Sequence, residues 1–97
     1  MGVLRFLLLL VVFLITTNLY AVDGVTVTEI KLGMVNAQKG PAEGLGKGML
    51  AGADSVFKEA NAQGGINGRK ISLVVADDGY EPDRAIDETL KMIEQER

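Results

Sequence analysis

The chain has no cysteine and no histidine among its 97 residues. The first absence excludes disulfides, thiolate metal sites and a lipid anchor carried on a cysteine. The second removes the commonest general base and metal-binding imidazole. Basic residues are outnumbered, with 10 Lys and Arg against 13 Asp and Glu. A mildly acidic, mixed surface argues against a nucleic-acid partner, whose binders show basic patches. No nucleophile stands beside a base in any recognisable pattern.

What is present begins with an export signal. Met1–Arg5 carries one positive charge, Phe6–Ile15 is an unbroken apolar run, and Thr16–Ala21 is more polar. This is the layout of a secretory signal peptide, with cleavage expected after Ala21. Leu19 departs from the small residue preferred there, which keeps an uncleaved N-terminal anchor as the alternative. The apolar run is short against the roughly 20 residues of a membrane span. Residues 1–21 are therefore read as signal peptide and residues 22–97 as the exported part, with the bacterial periplasm as destination. That part holds nine of the ten basic residues and all 13 acidic ones. It is long enough for one small and marginal core.

Periodicity divides the exported part into four elements. Val25–Thr28 alternates, and Ile30, Leu32, Met34 and Val35 form a strand-like run ending at Asn36. Gly40-Pro41 breaks it, with Pro suited to a first helical turn. From Ala42 the apolar spacing becomes helical, through Leu45, Met49, Ala53, Val56, Phe57 and Ala60. Gly64-Gly65 should end that helix and Asn67-Gly68 make a tight turn. Ile71–Ala76 is nearly all apolar, as in a strand covered on both faces. Asp77–Asp83 reads as a loop. A second helix starts at Pro82, with Ala85, Ile86, Thr89, Leu90 and Ile93 on one side and Asp78 or Glu81 as its cap. A helix of about 20 residues between two strands implies a parallel pair with a right-handed crossover. The fold class is thus α/β, a parallel sheet with flanking helices in the order βαβα. Two such strands make half of a doubly wound domain, and the pattern is still helical at Glu94–Arg97. The expectation is a truncated N-terminal piece of a larger domain.

Three motifs carry potential chemistry. Gly46-Lys47-Gly48-Met49-Leu50-Ala51 spells the dinucleotide pattern G-x-G-x-x-A, but it begins about ten residues after its strand, inside a helix. Close helix–sheet packing is the preferred reading. Asn36–Gly40 links the carboxyl end of a strand to a helix start, where open α/β sheets bind ligands. Asn36, Gln38 and Lys39 supply hydrogen-bond donors there, with an ordinary polar connecting loop as the equal alternative. Asp77-Asp78 lies at a second such strand end. Paired acids can hold a cation or move protons, but a turn-holding and capping role is favoured.

The ordered series Ile30-Lys31-Leu32-Gly33, Gly40-Pro41, Gly44-Leu45-Gly46, Ala51-Gly52-Ala53, Asn61-Ala62-Gln63-Gly64-Gly65-Ile66-Asn67-Gly68-Arg69-Lys70, Asp77-Asp78 and Tyr80-Glu81-Pro82 resembles the branched-chain amino acid binding family of periplasmic solute-binding proteins. The resemblance spans about Glu29–Glu94. It implies the first lobe of a type I periplasmic binding fold, a small amino-acid-like ligand, a membrane ABC permease as partner, and a binding rather than an enzymatic role with no cofactor, which agrees with the lack of a nucleophile–base pair. Related domains also serve as extracytoplasmic sensors of receptors, which is the alternative function. The ligand-binding candidates are Gln38, Lys39, Gly40, Leu45 and Asp78. Two departures stand out: Lys39 replaces the Ser or Thr usual before Gly-Pro, and Leu45 stands where the family often has an aromatic. The family's main contacts to the ligand's amino and carboxylate groups come from loops after its third and fourth strands, beyond Arg97.

Overall fold

A computed structural model describes residues 2–5, 7 and 22–97. Gly2–Arg5 and Leu7 are helical and exposed; the rest of the expected signal peptide, with its cleavage point, lies outside the described residues. No helix among the described residues is long and apolar enough to cross a membrane. Four elements follow: β1 (Glu29–Asn36), α1 (Glu43–Ala62), β2 (Lys70–Asp77) and α2 (Pro82–Gln95). The strands pair in parallel from Glu29 opposite Lys70 to Asn36 opposite Asp77. This register brings both carboxyl ends level. Asp77, expected in the loop, is the last residue of β2. Val25–Thr28 is not a strand; Val25 bridges Val22 and Ile30 in a reversal that precedes β1.

The connection between α1 and β2 follows from its glycines. The Gly65 amide donates to the Ala60 carbonyl at 2.8 Å, and the Gly64 amide to Asn61 at 3.1 Å. Gly64 sits at φ +101°. This is a Schellman ending, with its glycine in the left-handed region. Ile66 and Arg69 then exchange main-chain bonds across Asn67 and Gly68 (φ +51° and +78°), so the pair makes the mirror-image hairpin turn its dipeptide favours. Asn61 adds a side-chain tie: its Oδ1 accepts the Ile71 amide and its Nδ2 donates to the Ile71 carbonyl, both at 2.7 Å. One amide group thereby occupies both main-chain positions of Ile71.

Strand alternation sends Ile30, Met34 and Asn36 toward α1, and Lys31, Gly33 and Val35 toward α2. The Asn36 side chain donates to the Gly46 carbonyl of α1 at 3.2 Å. On the other face, Gly33 lies under the Met92 side chain and Lys31 pairs with Glu96 at 3.4 Å. The helices therefore lie on opposite faces, α1 chiefly over β2 and α2 chiefly over β1.

The apolar stripes are not where periodicity puts them. Leu45, Met49 and Val56 are exposed, while Leu50, Ala53, Phe57 and Ala60 are half-buried. On α2 the exposed residues are Ile86, Leu90 and Ile93, while Ala85, Glu88 and Met92 are half-buried. The reason is width. Two strands stand about 4.8 Å apart, whereas a helix with its side chains is about 10 Å across and carries an apolar stripe of some 100°. A two-stranded sheet covers one edge of that stripe. Expected caps differ too: no side chain caps α2, and its start rests on Pro82 in the first turn.

The tightest packing is at the β1–α1 junction. Ala37 is 4% exposed, the one buried apolar side chain among the described residues. Gly46 lies against it, and a Cβ at Gly46 would overlap the Ala37 carbonyl. Gly48, one residue beyond the next on the same helix, has open space around it. Gly46→Ala should therefore lower the urea midpoint by the equivalent of about 1–3 kcal/mol. Gly48→Ala should raise it by up to about 1 kcal/mol through helix propensity. Unfolding curves followed by circular dichroism check the pair, and equal signs would contradict the close approach.

Candidate functional site

The level carboxyl ends of β1 and β2 place the 37–42 and 78–81 loops side by side, and Asp77 joins them. Its Oδ1 accepts three backbone amides: Gln38 at 2.7 Å, Lys39 at 3.1 Å and Gly79 at 3.2 Å. Arg84, in the first turn of α2, donates to Asp77 Oδ2 and to its carbonyl, both at 3.2 Å. The Gln38 amide is the largest influence holding the Asp77 carboxyl below its ordinary value, opposed by partial burial and helped by the Gly79 and Lys39 amides and Arg84. With three amides on Oδ1 and an arginine on Oδ2, this carboxylate works as the acceptor that holds the two loops.

Asp78 has its own task. Its Oδ1 accepts the Tyr80 amide at 2.8 Å, its carbonyl accepts the Glu81 amide at 3.0 Å, and its amide donates to the Asn36 carbonyl at 2.9 Å. The two acids hold turns, as favoured, although neither caps α2 through its side chain. Among the described residues no acidic cluster fits a metal ion.

The polar donors expected at the first loop are partly spent. Gln38 Nε2 donates to Asn36 Oδ1 at 2.6 Å, while Asn36 Nδ2 serves Gly46. The amides of Gln38 and Lys39 face Asp77. The Lys39 side chain is exposed, and its ammonium pairs with no acid among the described residues. Gly40 takes φ +88°, and its carbonyl accepts the Glu43 amide at 3.1 Å. Leu45 is 71% exposed on α1. Gln38, Lys39, Gly40 and Asp78 thus gather at one sheet edge, with Leu45 just inside the following helix. The sequence reasoning did not single out Tyr80, which stands on the same edge with φ +65° and is largely exposed. Nothing local in the sequence announces that conformation. The dinucleotide-like match lies wholly within α1, with Gly46 packed on Ala37.

A separate hollow lies elsewhere. A cavity of about 500 Å³ lies between β1 and α2, lined by Lys31, Gly33, Val35, Val74, Met92 and Glu96 among others. It is the flank of α2 that two strands do not span. Its lining runs along the α2 face of the strands as far as Val35, and none of Gln38, Lys39, Gly40, Leu45 and Asp78 takes part in it.

Comparison with known proteins places these features in a family. A family model described as periplasmic binding protein matches residues 29–97. An amino acid binding protein of Pseudomonas aeruginosa is 33% identical over 69 residues, 71% of this chain and 18% of that one. A Leu/Ile/Val-binding protein of Escherichia coli is 36% identical over 58 residues, 60% of this chain and 16% of its own. Among solved structures, a fatty acid ABC transporter substrate-binding protein from Thermomonospora curvata superposes with a TM-score of 0.72 at 34% identity, covering 75% of this chain and 19% of that one. The chain spans about a fifth of the length of the relatives it matches.

The bonds to Asp77 make a pH prediction. A carboxyl group held below its unfolded value of 3.8 adds stability that is fully present above that value. The contribution is lost as pH falls through the lower folded value. Stability should therefore decline more steeply for the parent chain than for Asp77→Asn between about pH 5 and about pH 2. In the parent, the Gln38 and Lys39 amide resonances should move together across that range. Amide signals that stay fixed while the chain remains folded would contradict the assignment.

Proposed function

The chain belongs to the periplasmic binding protein family, and from that premise we propose that it forms the opening βαβα unit of the ligand-binding lobe in an extracytoplasmic solute-binding protein of an ABC transporter. The observation that carries this reading is the sheet edge: two loops held level by one carboxylate, at the strand ends where open α/β sheets bind ligands. An exposed cation, Lys39, with no acidic partner among the described residues, stands there. The relatives are named for amino acids in two cases and for a fatty acid in a third. These solutes share a carboxylate, and a lysine ammonium is a suitable partner for one. An amino acid with an apolar side chain is the first candidate, delivered in the periplasm to a membrane permease. Gln38, Lys39, Gly40, Leu45 and Asp78 are the proposed lining of one wall of the cleft. Residues 22–97 span about a fifth of the relatives' length and would supply one wall of such a cleft, so alone they should bind no amino acid tightly. No specific observation favours the sensor-domain alternative.

The test uses the native polypeptide, captured from a periplasmic extract with an antibody against residues 59–70. Isothermal titration with L-leucine, L-valine, L-glutamate and decanoate should show saturable binding of at least one amino acid. Residues 22–97 alone should show none at micromolar concentrations. An empty panel for the native polypeptide would overturn the solute-binding reading, and micromolar binding by the isolated segment would overturn the need for a second wall.

A further inference from the structure

We propose that Tyr80 is a ligand-contacting residue, an aromatic platform for the apolar body of a carboxylate-bearing solute whose carboxylate meets Lys39. The inference rests on the solute-binding reading and adds to it a residue and a ligand shape. Three observations lead to it.

The first is backbone strain. Tyr80 has φ +65°. An L-residue there brings its Cβ against its own main chain, and for a bulky side chain this is a true outlier. Asn67, the other non-glycine residue at positive φ among the described residues, belongs to the type that tolerates the region best. Glycine would fit position 80 without penalty. Strain of this kind persists only where the surroundings impose it, and it concentrates at functional positions. Here the imposing bonds are the Asp78 carboxylate on the Tyr80 amide at 2.8 Å and the Asp78 carbonyl on the Glu81 amide at 3.0 Å.

The second is that the ring does nothing evident for the fold. Tyr80 is 71% exposed, and its hydroxyl makes no hydrogen bond among the described residues. As the residue before the Glu81 cap it is placed to staple onto Ala85, but such exposure leaves most of the ring in water.

The third is location. The amides of Gly79 and Lys39 both lie within 3.2 Å of one oxygen, Asp77 Oδ1. Tyr80 and Lys39 therefore sit on adjoining loop tips at the ligand edge, both exposed. One offers a cation, the other an apolar face with a polar end. Leu45, on the neighbouring helix, supplies apolar surface but no ring.

The test compares the native polypeptide with its Tyr80→Gly and Tyr80→Phe variants, using urea unfolding and titration with L-leucine, L-valine, L-glutamate and decanoate. Tyr80→Gly should unfold at an equal or higher urea concentration, since strain is relieved and no packing is lost. It should weaken binding of the apolar probe about tenfold, as expected for loss of an aromatic contact. Tyr80→Phe should hold affinity within about twofold, since the ring face remains. Unchanged affinity in Tyr80→Gly, for every probe the parent binds, would overturn the platform. So would a lowered midpoint in Tyr80→Gly that Tyr80→Phe restores, because the ring would then serve the fold. Failure of the parent to bind any probe would instead sink the solute-binding reading, and this inference with it.

Discussion

One carboxylate sets the shape of the functional edge. Parallel strands in this register end together, and that leaves two loops with main-chain amides pointing into the same small space. Backbone donors that lose water must find acceptors. Asp77 answers this with a single side chain, gathering three amides on one oxygen and an arginine on the other. Charge-assisted bonds of this type are stronger than neutral ones, and their geometry fixes the loops relative to each other and to α2. A residue without an acceptor oxygen there would leave the two loop tips without a common reference. The closeness of α1 has the same origin: the backbone that Asp77 holds at Gln38 begins at Ala37, on which Gly46 packs.

Away from that edge the unit is thin. Leu45, Met49 and Val56 on α1 and Ile86, Leu90 and Ile93 on α2 remain exposed, on opposite sides of a sheet too narrow to cover them. A chain of this size buries a small share of its surface, and these six side chains show where the shortfall lies. Asn61 adds direction. By occupying both main-chain groups of Ile71 it closes the far side of β2 at that point. The side of β1 away from β2 has no such side-chain cover along Gly33–Asn36 among the described residues, so it is the side on which a sheet of this kind can widen.

Legibility in the sequence followed the range of the interaction. Asn67-Gly68, Gly64-Gly65 and Pro82 could be read because a turn, a helix end and a helix start are decided by residues within five positions of one another. The βαβα order and parallel pairing could be read because a helix of that length leaves few other connections. The helix stripes were misread because a 3.6-residue period reports that apolar residues share a side, but not which half of a broad stripe meets a narrow sheet. Asp77 was read as turn-holding, yet its bonds to Gln38 and Lys39 cross 39 and 38 residues and leave no local trace. Gln38 and Asn36 look like free donors in the sequence, and only their contacts reveal that each already serves the loop. Tyr80 was opaque for another reason: tyrosine has no preference for the left-handed region, so only the coordinates reveal that it is held there.

Gly46-Lys47-Gly48-Met49-Leu50-Ala51 shows how a motif can be spelled without its meaning. In a dinucleotide-binding turn, glycines allow a tight bend, an approach to pyrophosphate, and close contact between helix and strand. Here the bend is over before the motif begins, since α1 starts at Glu43. Of the three needs, only close contact applies, and Gly46 alone meets it, against Ala37. Gly48 faces open space and answers to none of them. Two glycines that look equivalent in a pattern are therefore under opposite pressures. One is fixed by a carbonyl that leaves no room for a methyl group, and the other weakens a helix that would be better formed without it.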